Sequence, residues 1–154
     1  MINVRELRKD EWTQAMALAW RTFLRFEAND CEPEGVSSFY RFVTDDDLEK
    51  MFLIGEYKAF GAFDGDRIVG ISGVRSTNFL SILFVDEAYH RRGIATALVE
   101  AAAEYICDEK KKNEMTVYAA MNAVGFYLRL GFSATGEKRS EAGITFLPMC
   151  LRIR

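Results

Sequence analysis

The hydrophobic period of this chain changes several times along its length, and each change predicts an element. Residues 2–7 alternate apolar and polar as a half-buried strand does, and Asp10 then offers an N-cap to a helix carrying Trp12, Met16, Trp20, Phe23 and Leu24 at helical spacing. Residues 27–36, EANDCEPEGV, lose that spacing at Pro33 and Gly35 and predict an acidic loop. Short helices are expected at 37–42 and 45–51, the second capped by Thr44 or Asp45. From Tyr57 the period drops to two. KAFGAF, the turn Asp64-Gly65-Asp66 and RIVGISGV predict a hairpin, and FLSILFV after Asn78 adds the third strand of a meander.

Residues 93–107 return to helical spacing, with Ile94, Leu98, Ala102, Tyr105 and Ile106 on one side and Glu100 and Glu104 on the other. A strand at 115–119, a short helix at 123–130 stopped by Gly131, and a closing hairpin of 132–135 with 144–151 around the polar turn GEKRSEAG complete the pattern. The element order read this way is β-α-α-β-β-β-α-β-α-β-β. An α+β fold satisfies it, with a mixed, mainly antiparallel sheet flanked by helices on both faces.

Composition narrows the class. A chain of 154 residues, 49% apolar and with 12 Phe, 6 Tyr and 2 Trp, has ample material for one core, so a single domain over 1–154 is expected. A net charge of −3 gives no bulk attraction for nucleic acid. No run of roughly 18 to 20 apolar residues predicts a membrane span, and MINVRELRKDEW lacks the apolar run of a signal peptide, so a cytoplasmic location is expected. Cys31, Cys107 and Cys150 form no C-x-x-C pair and the chain has one His, which argues against a disulfide framework and against a metal centre. Asp45, Asp46 and Asp47 read as helix capping and a solvated face rather than as metal ligands.

The chemistry concentrates in LFVDEAYHRRGIAT, residues 83–96, where an apolar strand meets a basic, glycine-containing turn that opens a helix. Unpaired N–H groups in a helix's first turn and the positive end of its dipole attract anions, so His90, Arg91, Arg92 and Gly93 predict a diphosphate site. No Walker sequence, G-x-G-x-x-G or G-x-S-x-G elbow competes with this reading.

The stretch resembles the acetyl-CoA motif of the GCN5-related N-acetyltransferases, Arg/Gln-x-x-Gly-x-Gly/Ala after a strand, here His90-Arg91-Arg92-Gly93-Ile94-Ala95 with His at the first position. NAVGFYLRLGF, residues 122–132, resembles that family's later Asn-x-x-x-x-Phe-Tyr-x-x-x-Gly-Phe element. The resemblance implies acetyl-CoA as cofactor, held by Leu83, Phe84, Val85, the run from His90 to Thr96, and Asn122, Phe126 and Tyr127. It also implies that strands near 80–85 and 115–119 run parallel and splay apart. The main chain of Phe84 and Val85 would bind the pantetheine arm in that gap, and an N–H near Val85 would stabilise the oxyanion. By the same alignment Tyr127 is the general acid and Asn122 binds the arm, with a helix N-cap as the competing reading of Asn122.

No residue stands out as the general base. Glu27, Asp30, Glu32 and Glu34 lie in the segment where the family recognises its acceptor, and their acidity favours a cationic one. Ser81 and Asn78 are further acceptor-side candidates whose direction alternation does not settle. The expected activity is acetyl-CoA-dependent N-acetylation by direct attack of a primary amine. The expected partner is a small-molecule or peptide amine, with neither nucleic acid nor membrane, and a homodimer is left open. A second reading, motivated by the missing base and by His90, is a non-catalytic acyl-CoA-binding regulatory or interaction module.

Overall fold

In the computed structural model, which describes residues 1–153, one eight-stranded sheet runs in the order β1-β2-β3-β4-β5-β8-β6, with β7 also paired to β8. The strands are β1 Ile2–Glu6, β2 Lys58–Asp64, β3 Arg67–Arg75, β4 Phe79–Val85, β5 Glu114–Ala120, β6 Ser133–Ala134, β7 Arg139–Glu141 and β8 Ile144–Arg152. The helices are α1 Trp12–Phe26, α2 Pro33–Val43, α3 Asp46–Leu53, α4 Ile94–Asp108 and α5 Val124–Leu130. All neighbours pair antiparallel except β4 and β5. No helix among the described residues is long and apolar enough to cross a membrane.

Three helices stand between β1 and the meander, matching the three helical stretches read from the sequence although the element order counted two, and the predicted loop at 27–36 is largely taken up by helical turns. Ala28–Asp30 forms a 3-10 turn, and Pro33 sits at the first position of α2, where its missing N–H is no loss. Gly35 is there for a close approach. Its backbone lies against Gly143 in the turn between β7 and β8, and Glu32 N donates to Gly143 O at 3.0 Å. The final hairpin therefore holds the acidic segment. Its turn, Ala142-Gly143, has two positive φ angles, 51° and 82°, which makes the tight connection between β7 and β8.

Helices α1 to α3 cover one sheet face, where Trp12, Met16, Leu18 and Phe23 pack with Leu48, Tyr57, Ile71 and Phe84. Leu24, predicted on that face, is exposed. Helix α1 begins after a 3-10 turn, with Glu11 and not Asp10 before its first residue. Helix α4 covers the other face, burying Ile94, Leu98, Ala102 and Ile106.

A β-bulge controls the middle of the sheet. Val74 pairs with Leu80 but Gly73 pairs with Ile82, so Ser81 is an extra residue in β4. Tyr57 reaches the space beside Gly73 that a Cβ would fill, and its hydroxyl lies 2.7 Å from Ser81 Oγ. Leu80 consequently faces the α4 side while Ile82, two residues on, faces α1.

Candidate functional site

Beyond the bulge, β4 and β5 part company. Their parallel pairing is confined to Phe79 with Thr116 and Leu80 with Val117, although β4 continues to Val85 and β5 to Ala120. The closed end is tied by Thr116 N to Asn78 O at 3.0 Å and by Asn78 Nδ2 to Glu114 O at 3.1 Å. The open end leads into a cleft of about 600 Å³.

Main-chain direction along β4 decides which groups face this gap. Asp86 N donates to Val69 O at 2.8 Å, and Phe84 pairs with Ile71, so the polar groups of Phe84 and Asp86 face β3. Alternation turns those of Leu83 and Val85 outward. Of the two residues expected to present main-chain groups to an arm in the gap, Val85 does so; the Phe84 ring borders the cleft and packs edge-on to Phe39 at 5.5 Å.

The anion end follows from local backbone geometry. Arg91 and Gly93 both hold positive φ, 65° and 76°, and the first bond of α4 runs from Ala97 N to Gly93 O. The N–H groups of Gly93, Ile94, Ala95 and Thr96 thus have no acceptor within the helix, and all four residues line the cleft. A Cβ on Gly93 would meet no protein atom, so the space beside it is open to a ligand. The turn is braced from outside. Tyr89 donates to Asp64 at 2.6 Å, Arg92 stacks over the Tyr89 ring at 5.0 Å, and Arg25 pairs with Glu87 at 2.9 Å.

Not every residue of the motif faces inward. Arg91 lines the cleft, but Arg92 lies against Tyr89 outside its lining. His90 turns its side chain back: Nε2 lies 2.7 Å from Val85 O and the ring packs against Phe26 at 5.0 Å. A carbonyl only accepts, so Nε2 carries the proton.

On the opposite wall α5 presents Phe126 and Tyr127. Tyr127 is 5% exposed, and among the described residues its hydroxyl has no hydrogen-bond partner. Burial, and then the charge of Glu27, hold its pKa well above that of a free phenol. Glu27, at the end of α1, also lines the cleft; desolvation lifts its carboxyl from 4.5 to about 7, and Asp30 adds to the rise. Asn122 borders the cleft but spends its amide on Phe26 O at 2.9 Å, and it does not cap α5.

The sequence-based candidates therefore divide. Leu83, Phe84, Val85, His90, Arg91, Gly93, Ile94, Ala95, Thr96, Asn122, Phe126, Tyr127 and Glu27 meet at one cleft. Asp30, Glu32, Glu34, Arg92 and Ser81 do not line it; Asp30 acts on Glu27 through its charge, and Ser81 is engaged by Tyr57. Thr22, Phe26, Tyr89, Ala123 and Arg129 line it and were not anticipated. Phe26 continues the apolar spacing from Phe23, and Arg129 lies inside the second motif, so both carried a signal.

Comparison with known proteins agrees with this geometry. A family model described as an acetyltransferase (GNAT) domain matches residues 27–153. The chain is 26% identical over 140 residues to the "Uncharacterized N-acetyltransferase YafP" of Escherichia coli (strain K12), covering 91% of this chain and 87% of that protein. Among solved structures, a GCN5-related N-acetyltransferase from Rhodopseudomonas palustris superposes with a TM-score of 0.82 at 18% identity, covering 97% of this chain and 94% of the other. PaiA N-acetyltransferase from Thermoplasma acidophilum, solved in complex with coenzyme A, superposes with a TM-score of 0.81 at 19% identity over 99% of both chains. The chain thus belongs to the GNAT family of N-acetyltransferases.

Proposed function

We propose that the chain transfers an acetyl group from acetyl-CoA to a primary amine by direct attack, with no covalent enzyme intermediate. The observation that carries this reading is the fork between β4 and β5, with the outward main chain of Val85 on one side and an unpartnered Tyr127 hydroxyl and the Glu27 carboxyl on the same cleft. The residues fit the cofactor. The free N–H groups of Gly93 to Thr96, with Arg91 beside them, would hold the diphosphate, and the outward groups of Leu83 would pair with the pantetheine amides, while the Val85 carbonyl is already bonded to His90. Acetyl-CoA, when bound, supplies an activated acetyl thioester.

The chain's own residues then divide the proton work. An amine acceptor arrives mostly as ammonium and must lose a proton before it can attack. Glu27, at about 7, is half ionised near neutrality and takes that proton. Tyr127 holds its own proton too firmly to surrender it fully to a thiolate, whose conjugate acid lies near 8.5, so its part is a hydrogen bond to the departing sulfur. The Val85 N–H faces the side on which negative charge grows on the carbonyl oxygen; loss of one such donor in acyl-transfer sites costs about 3 to 4 kcal/mol.

A carboxyl of raised pKa at Glu27 supports it as the base, which answers one of the two grounds for a non-catalytic binding module, the other being His90. The decisive experiment combines calorimetry with acetyl-CoA and turnover on a panel of small-molecule and peptide amines. Binding with turnover on at least one amine is expected. Binding without turnover on any would restore the module reading, and absence of binding would end both.

A further inference from the structure

The last turns of α1 are tied to both arms of the fork between β4 and β5. On the β4 side Arg25 pairs with Glu87 at 2.9 Å and Arg21 with Asp86 at 3.4 Å, both carboxylates coming just after the end of the strand. On the β5 side Asn122 comes two residues after Ala120, the end of that strand, and its Nδ2 donates to Phe26 O at 2.9 Å. A carbonyl only accepts, so the nitrogen of the amide is the atom that faces it. Phe26 O is one of the carbonyls that α1 leaves without an intrahelical partner, and Asn122 satisfies it from the other arm.

Glu27 is the next residue along the chain. Its carboxyl makes no hydrogen bond or ion pair among the described residues, so its place in the cleft is set by its main chain. That main chain is the frayed end of a helix: Glu27 N donates to Phe23 O at 2.8 Å and Asp30 N to Glu27 O at 3.0 Å. The groups whose charge bears on Glu27 are Asp30 and Cys31 from the turn beyond α1 and Tyr127 from α5, with His90, Arg91 and Arg129 lining the same cleft.

We propose that Asn122 is a positioning residue: by holding Phe26 O it fixes the end of α1 to the β5 arm and so sets where the Glu27 carboxyl stands in the cleft. The inference rests on the reading of Glu27 as the base, and in this role Asn122 acts through Phe26 and needs no contact with the cofactor. Release of Phe26 O would loosen the last turn of α1 and admit water to Glu27, whose carboxyl would then titrate closer to an ordinary glutamate.

The test is carboxyl-carbon NMR of the chain carrying isotope-labelled glutamate, with the Glu27 signal assigned from Glu27→Gln, in wild type, Asn122→Ala and Asn122→Gln, alongside calorimetric titration with CoA. Asn122→Ala should lower the Glu27 titration midpoint by about one pH unit and weaken CoA binding by no more than about twofold. On any amine that wild type turns over, kcat should fall about 10- to 100-fold in this variant with KM for acetyl-CoA unchanged. Asn122→Gln keeps an amide donor and should recover part of both losses. An unmoved midpoint with weakened CoA binding would assign Asn122 to the pantetheine arm and overturn the proposal, as would no change in either. A lowered midpoint in a chain whose wild type turns over no amine would support the tether and end the reading of Glu27 as a base, a result distinct from both of those.

Discussion

The Nε2 atom of His90 lies 2.7 Å from the main-chain oxygen of Val85, so the first side chain of the turn before α4 is bonded to the strand end. His90→Ala is therefore expected to act on stability before it acts on cofactor binding. Loss of this hydrogen bond and of the contact with Phe26 should cost about 1 kcal/mol. In a domain of this size that lowers Tm by about 2–4 °C in a calorimetric scan. An unchanged Tm with a tenfold weaker Kd for CoA would show that the imidazole serves the ligand instead.

Under the proposed mechanism Glu27 sets the pH dependence of the reaction. A base must be ionised to act, so kcat/KM should climb as pH rises through about 7 and then level off. In Glu27→Gln the limb near 7 should vanish and kcat/KM should fall by about 10²-fold or more. Retention of that limb in the variant would move the base elsewhere.

The same carboxyl should burden the fold. Its folded pKa is raised from 4.5 to about 7, so the folded state binds the extra proton between those values. Stability attached to this group is fully present below the unfolded pKa and is lost as pH rises through about 7. Glu27→Gln is accordingly expected to raise Tm at pH 8 and to leave it nearly unchanged at pH 4. Equal shifts at both pH values would contradict the linkage.

Tyr127→Phe separates chemistry from folding. The hydroxyl has no protein partner among the described residues and is not itself sealed from solvent, so its removal should leave Tm nearly unchanged. CoA affinity should be spared, while kcat falls by about 10- to 100-fold. Wild-type turnover in this variant would take Tyr127 out of the mechanism.

Gly93 is held at a φ of 76° immediately before α4. Gly93→Val meets both the strain of that conformation, on the order of 1–3 kcal/mol, and the loss of open space beside the free N–H groups. Calorimetric scanning should show the lower Tm, and titration should show CoA binding weakened at least tenfold beyond what Arg91→Ala alone produces.

How far the sequence carried this structure depends on where local rules and tertiary contacts agree. The stretch 83–96 was readable because strand, glycine turn and helix each leave their own pattern, and the Asp64-Gly65 turn was readable for the same reason. Helix α2 was misread at its start because Pro33 and Gly35 are ordinary loop markers. Here Pro33 occupies the first helical position and Gly35 answers to Gly143, more than a hundred residues away. Glu27 could not be told from Asp30, Glu32 and Glu34 by charge, since it is its burial in the fold, with the nearby charge of Asp30, that raises its pKa to about 7. Asn122 fits either of two local roles in sequence, and its actual partner, Phe26 O, comes from another helix.

The single supernumerary residue at Ser81 has the widest effect on the molecule. It reverses the phase of β4, so every amide downstream of it exchanges the partner it would have had in an unbroken ladder. Were Ser81 instead drawn into the ladder opposite Gly73, Leu83 would lie opposite Ile71, Val85 would be stitched to Val69 and Phe84 would inherit the outward position. An interruption of regular pairing thus sets which main-chain groups β4 turns to the cleft, and a redesign that drew Ser81 into the ladder would turn the Val85 groups away from it.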